Sequence, residues 1–133
     1  MQLRILATAA AFSAALVATM PATATDTLRG LAPSAGIRIG AAVDVDALKA
    51  DAAYAGLLAR EFNLLTPENA MKFSVVHPER GRYDFTQADA LVEFAEANGM
   101  QVNGHVLVWH QQLPDWLTQG NFDSDELKAI LRD

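Results

Sequence analysis

Two short groupings of residues carry side chains that could hold a polyhydroxylated ligand. The first is TPENAMKF, Thr66 to Phe73, where Glu68, Asn69 and Lys72 supply a carboxylate, an amide and a cation within one turn's length of chain. The second is GHVLVWHQQLPDW, Gly104 to Trp116, where His105, Trp109, Gln112 and Trp116 supply an imidazole, an amide and two indoles. A sugar ring offers C–H faces and hydroxyl edges, which suits an indole face set beside amide and imidazole donors. Packing is the competing account. His105 also reads as a hydrogen-bonded core histidine and Trp109 as a core or lid aromatic. TPEN reads as a helix start, with Thr66 as N-cap, Pro67 in the first position and Glu68 favourable to the helix dipole.

The elements around these groupings decide where in a fold they would sit. Ile37 to Val43 is a short apolar, strand-like run ending at Asp44. From Asp46 to Phe62, the residues Leu48, Ala52, Ala55, Leu58 and Phe62 recur at the spacing of one helix face, and Asn63 plausibly stops it. Asn63 to Thr66 reads as a second strand running into Pro67. A helix then starts at Thr86, capped by its hydroxyl, with Ala88, Leu91, Val92 and Ala95 as the buried stripe and Asn98-Gly99 as the stop. Met100 to Trp109 reads as the third strand, with His105, Leu107 and Trp109 on one face and Val102, Gly104, Val106 and Val108 on the other. A last helix opens at Asp123 with Leu127, Ile130 and Leu131 on its apolar side.

Strand alternating with helix is the pattern of parallel βα units, so the fold class is α/β. Ligands bind such sheets at the carboxyl ends of the strands, where both groupings fall. Asp44 ends the first strand, where it could line a site or cap the next helix. Glu79, Arg80 and Arg82 read as a solvated turn. Helices of one crossover hand cover only one face of three parallel strands, so this chain reads as the front of a larger domain.

Composition narrows the function. With 16 acidic against 10 basic residues and no basic cluster, nucleic acid and anionic membrane surfaces are poor partners. Met1 to Ala24 has the layout of a secretory signal peptide: Arg4, an apolar run, then Ala22-Thr23-Ala24 as a small-x-small cleavage site. The expected organisation is thus a leader over 1–24 and one incomplete domain over 25–133, exported and free of the membrane after cleavage. Without cysteine, no disulfide is available. His105 and His110 lie an odd number of positions apart and His77 sits in a separate loop, so no transition-metal site is expected.

Taken in order, IRIGAAVD, LLTPENAMKF and GRYDFTQADALVEFAEANGMQVNGHVLVWHQQLPDW resemble the start of the catalytic domain of glycoside hydrolase family 10, the endo-1,4-β-xylanases. The resemblance implies a (β/α)8 TIM barrel, of which this chain would form about the first three βα units. It implies that Glu68, Asn69 and Lys72 bind the xylose on the non-reducing side of the cleaved bond. His105 and Trp109 would contact the sugar at the cleavage point, and Gln112 is a further glycone-side position. The implied partner is xylan or a xylo-oligosaccharide, with no cofactor and a monomer at full length. Phe73, Val106 and Asn103 depart from the family's commonest choices of tryptophan, threonine and arginine.

Retaining members use an acid/base and a nucleophile glutamate about 5–5.5 Å apart. In the family these belong to the fourth and seventh strands, so neither is expected within this chain. Glu68 matches a substrate-binding position and a lone carboxylate cannot perform both halves of a double displacement. The chain alone is therefore expected to be inactive. The alternatives are an exported non-catalytic carbohydrate-binding protein or degenerate pseudo-enzyme, and an unrelated α/β domain with convergent aromatics.

Overall fold

Three strands, β1 (Gly40–Val43), β2 (Leu64–Pro67) and β3 (Gln101–Val102), form one parallel sheet in that order in the computed structural model, which describes residues 27–133. The leader expected over Met1 to Ala24 lies outside the described residues. Gly40 is in register with Leu64 and Val43 with Pro67, while Leu64 and Leu65 face Gln101 and Val102. A Cβ on Gly40 would lie 3.0 Å from Leu64 Cβ and from its carbonyl oxygen, so a larger residue would press the two strands apart. Alternation gives the sheet two unlike faces. Val43 and Leu65 are fully buried on the helix side with Val102 against them, whereas Gly40 and Ala42 are exposed on the other.

The expected single helix from Asp46 to Phe62 is two: α2 (Val45–Ala50) and α3 (Ala52–Glu61). Asp51 divides them, because its extended backbone ends α2 while its carboxylate accepts from the amides of Ala53 and Tyr54 to start α3. Asp44 likewise caps α2 by accepting from Asp46 and Ala47. Of the expected stripe, Leu58 is buried and Leu48 and Phe62 pack on the core, but Ala52 is exposed because it begins the new helix.

Helix α5 (Thr86–Ala97) buries Ala88, Leu91 and Ala95. Its cap differs from expectation: Thr86 is the first helical residue, Phe85 occupies the cap position, and the Asp84 carboxylate takes the Thr86 amide. The helix ends in a Schellman pair, Gly99 N–H to Glu96 O and Met100 N–H to Ala95 O, with Gly99 at φ 58°.

No helix starts at Thr66. Pro67 stays in β2, and the short α4 (Phe73–Val76) begins only after Lys72. The third strand is also shorter than expected, ending at Val102 instead of Trp109. Asn103 N–H still reaches Leu65 O at 2.8 Å. The next bond of a parallel ladder would need an N–H from Pro67, which has none, so the chain leaves the sheet as a loop. That loop leads to α6 (Asp115–Thr118) and α7 (Ser124–Arg132), the latter opened by an Asp123–Glu126 capping box. Among the described residues no helix is long and apolar enough to cross a membrane.

The short α1 (Leu28–Leu31) is held from two sides. Arg29 Nη1 donates to Ala59 O and Nη2 to Gly99 O, both at 3.0 Å, which places a cation over two helix ends. Glu61 accepts the Leu28 amide at 2.9 Å. That bond, with Arg60 assisting, holds the Glu61 carboxyl below the usual glutamate range.

A depressed folded-state pKa stabilises above the unfolded value and ceases to as pH falls through the folded one. The protection factor of the Leu28 amide, its exchange rate taken relative to the intrinsic rate at each pH, should therefore fall on acidification through that range, while that of Leu65 holds. In the core, Leu91→Ala should lower unfolding free energy by about 2–5 kcal/mol, measured by urea denaturation.

Candidate functional site

The loop after β2 and the loop after β3 meet at the carboxyl ends of the strands. Glu68 N–H donates to Val43 O at 2.9 Å, which anchors the first loop to the end of β1. Asn103 Nδ2 reaches Thr66 Oγ1 at 3.3 Å, and Val106 N–H reaches Met71 O at 3.4 Å. Ser74 N–H donates to Gln112 O at 2.9 Å. Backbone and amide bonds thus hold the two sequence groupings together, although they lie some forty positions apart.

Lys72 is the centre of the site. It is only 5% exposed, yet its side chain forms no ion pair or hydrogen bond among the described residues. No fully buried side-chain nitrogen lacks a partner, so the small exposed part includes the Nζ. The Nζ lies 4.4 Å from the centroid of the Trp109 ring, a cation–π contact. The His105 ring follows, 6.4 Å from Trp109 between centroids. On the other side, Gln112 Nε2 donates to Asn69 Oδ1 at 3.1 Å.

Five of the six expected residues are therefore joined in two contacting sets, Lys72–Trp109–His105 and Asn69–Gln112. Glu68 sits beside Asn69 in the chain, with its carboxylate exposed and without a hydrogen bond. No helix starts there, so the reading of its position as a helix start is corrected. His105 and Trp109 approach through a loop, and not through the strand alternation expected of them. The peptide between His105 and Val106 is cis.

Trp116 belongs elsewhere. Its Nε1 donates to His77 O at 3.0 Å, and its ring packs on His77, Phe73 and Phe122. His77, 4% exposed, accepts the Gly81 amide through Nε2 and lies against Tyr83. This aromatic cluster underpins the loops. The turn carrying Glu79 and Arg82 is exposed, with a 2.8 Å ion pair between them.

Sequence reading missed Tyr54, which lies on the Glu68 side. Burial pushes its phenol above the usual tyrosine range, the Asp44 backbone pulls it down, and the Glu68 and Asp44 carboxylates add to the rise. Nothing in the local sequence marks a helix tyrosine as a neighbour of a residue fourteen positions on. Among the described residues no group of three metal-ligating side chains could hold an ion. Two open apolar grooves flank the polar cluster, about 280 Å³ beside His105 and about 590 Å³ beside Trp109.

Parallel βα units with a polar and aromatic cluster at the strands' carboxyl ends suit the front of a (β/α)8 barrel, the fold that the family and the structural neighbours carry. Residues 27–133 match glycosyl hydrolase family 10, and the chain belongs to that family. It is 48% identical over 108 residues to endo-1,4-beta-xylanase B of Thermotoga neapolitana, covering 80% of this chain and 31% of the relative. The structure superposes on xylanase 10B of Thermotoga petrophila RKU-1 in complex with xylobiose with a TM-score of 0.77 at 48% identity, covering 80% of this chain and 33% of that one. Against native xylanase 10B of Thermotoga maritima the TM-score is 0.73 at 47% identity, with 80% and 34% covered. The chain thus spans about a third of the length of these relatives.

The Lys72 ammonium keeps its solvent contact and has no anionic partner, so the fold gains only a cation–π contact from that charge, while its stem is packed like an apolar side chain. Lys72→Met should raise the unfolding free energy by about 1 kcal/mol in urea denaturation. A loss of stability would mean that Lys72 serves the fold.

Proposed function

We propose that the protein is the amino-terminal part of an exported endo-1,4-β-xylanase and carries the glycone-side wall of its cleft. The observation that carries this reading is Lys72: a side chain packed to 5% exposure whose ammonium reaches solvent without a protein acceptor, set against an indole face. Such a group is ready for hydroxyls that arrive with a ligand. Glu68, Asn69 and Lys72 would engage the sugar on the non-reducing side, with Gln112 beside them. His105 and Trp109 would line the cleavage point. The relatives support the substrate class, since one is named as a xylanase in complex with xylobiose.

In this reading the chemistry is retaining hydrolysis of internal β-1,4-xylosidic bonds by two glutamates of the family's fourth and seventh strands. The wall formed here would orient the glycone and exclude water from one side of it, which converts binding energy into alignment. The 133 residues by themselves would bind without cleaving.

Titration with xylotriose tests the reading. The protein should bind it, and Lys72→Met should weaken that binding at least about tenfold, the loss of a charged donor. Incubation of the isolated 133-residue chain with xylan should release no reducing ends above background. Unchanged affinity in Lys72→Met would remove the sugar cleft from consideration, and turnover by the isolated chain would refute the assignment of the chemistry to residues outside it.

A further inference from the structure

The chain contains two Asn-Gly pairs, Asn98-Gly99 and Asn103-Gly104, and the fold holds them differently. Asparagine before glycine is prone to spontaneous ring closure, because a glycine without a Cβ leaves its amide nitrogen free to reach the preceding side chain. Asn98 is held against this. Its Nδ2 donates to Phe94 O at 2.8 Å, and the Gly99 N–H donates to Glu96 O at 3.1 Å at the end of α5. Both the attacking nitrogen and the leaving nitrogen are engaged.

Asn103 is placed the other way. It and Gly104 are exposed, just past the end of β3. Donation along a parallel strand alternates between its two edges. With the Gln101 and Asn103 N–H groups bound to Asn63 O and Leu65 O on the β2 side, the Gly104 N–H falls on the free edge. It has no acceptor among the described residues. Asn103 Nδ2 has only the 3.3 Å contact to Thr66 Oγ1, longer than the usual hydrogen-bond range.

We propose that Asn103 is a site of spontaneous deamidation. The Gly104 nitrogen gives its proton to solvent base and bonds to Asn103 Cγ; the Cγ–Nδ2 bond breaks, and the side-chain nitrogen takes a proton from solvent and leaves as ammonia. Water then opens the succinimide at either carbonyl, giving aspartate or isoaspartate with no change of oxidation state. Either product adds a negative charge to a chain whose formal charge is already −6. Isoaspartate also lengthens the main chain by a methylene between β3 and His105, immediately before the residues that reach Lys72. The reaction is independent of the sugar reading.

Incubation of the 133-residue protein in mildly alkaline buffer, followed by proteolysis and peptide mass spectrometry, tests this. The amide-to-acid mass change should accumulate at Asn103 at least about tenfold faster than at Asn98, whose two hydrogen bonds must open first. In concentrated urea the two rates should converge, since the difference belongs to the fold. Gly104→Ala should slow the reaction at Asn103 several-fold by crowding the attacking nitrogen. A Cβ there would lie 3.8 Å from Met71 Sδ, an ordinary contact, so the fold accommodates the change. Equal rates in the native protein, a faster reaction at Asn98, a difference that persists in urea, or an unaltered rate in Gly104→Ala would overturn the proposal.

Discussion

The absence of an N–H on Pro67 governs the shape of the site. A parallel ladder advances by alternate donation from the two strands, and β3 runs out of donors on its neighbour just after Asn103. Had the ladder continued, the backbone from Gly104 to Trp109 would have been committed to the sheet. Released from it, the chain folds over the loop that follows β2 and bonds to Met71 and Ser74. His105 and Trp109 reach Lys72 by that route. One missing donor therefore turns a strand into the wall of a cleft.

The cleft that results is polar in a place where the fold would favour apolar side chains. Lys72 is buried without a counter-charge, while Asn69 and Gln112 pair with each other and leave only part of their hydrogen-bonding capacity used. Such groups contribute little to folding. Stability is supplied below, by Val43, Leu65, Leu91 and Ala95 at the interface of sheet and α5, and beside the loops by the aromatic cluster around His77. The separation is physical: close-packed side chains give rigidity to loops whose own tips are free to serve a ligand.

Much of the architecture was legible because it depends on short-range rules. The stripe of α5, the Asn98-Gly99 stop and the Asp123 helix start are local codes, and the structure follows them except at Val92, which is only half-buried. Asp51 was harder to read, since an aspartate inside an apolar periodicity marks a break only when its carboxylate captures the next two amides. The strand expected through Trp109 failed for a non-local reason, the proline lying in the neighbouring strand. For the site, residue types disclosed Lys72, His105 and Trp109, but not that they converge through loops. The Gln112–Asn69 pair and the proximity of Tyr54 depend on tertiary approach and leave no periodic trace.

The remaining surface shows what kind of object this sheet belongs to. Leu107 is 92% exposed, and Val108, Leu127 and Leu131 are also exposed large apolar residues. Leu127 and Leu131 line the 590 Å³ groove together with Val108 and Trp109, on the loop and helix that follow the free edge strand β3. Apolar groups gathered beside an unpaired strand edge are unfavourable in water, and barrel closure removes both problems at once. The sheet's bare face, with Gly40 and Ala42 exposed, fits the same geometry, since a barrel fills its interior with layers of side chains contributed by every strand. The cleft wall and the exposed apolar surface are thus consequences of one topology: parallel strands display polar loops at their carboxyl ends, and closing the ring behind them covers the apolar surface that three strands leave bare.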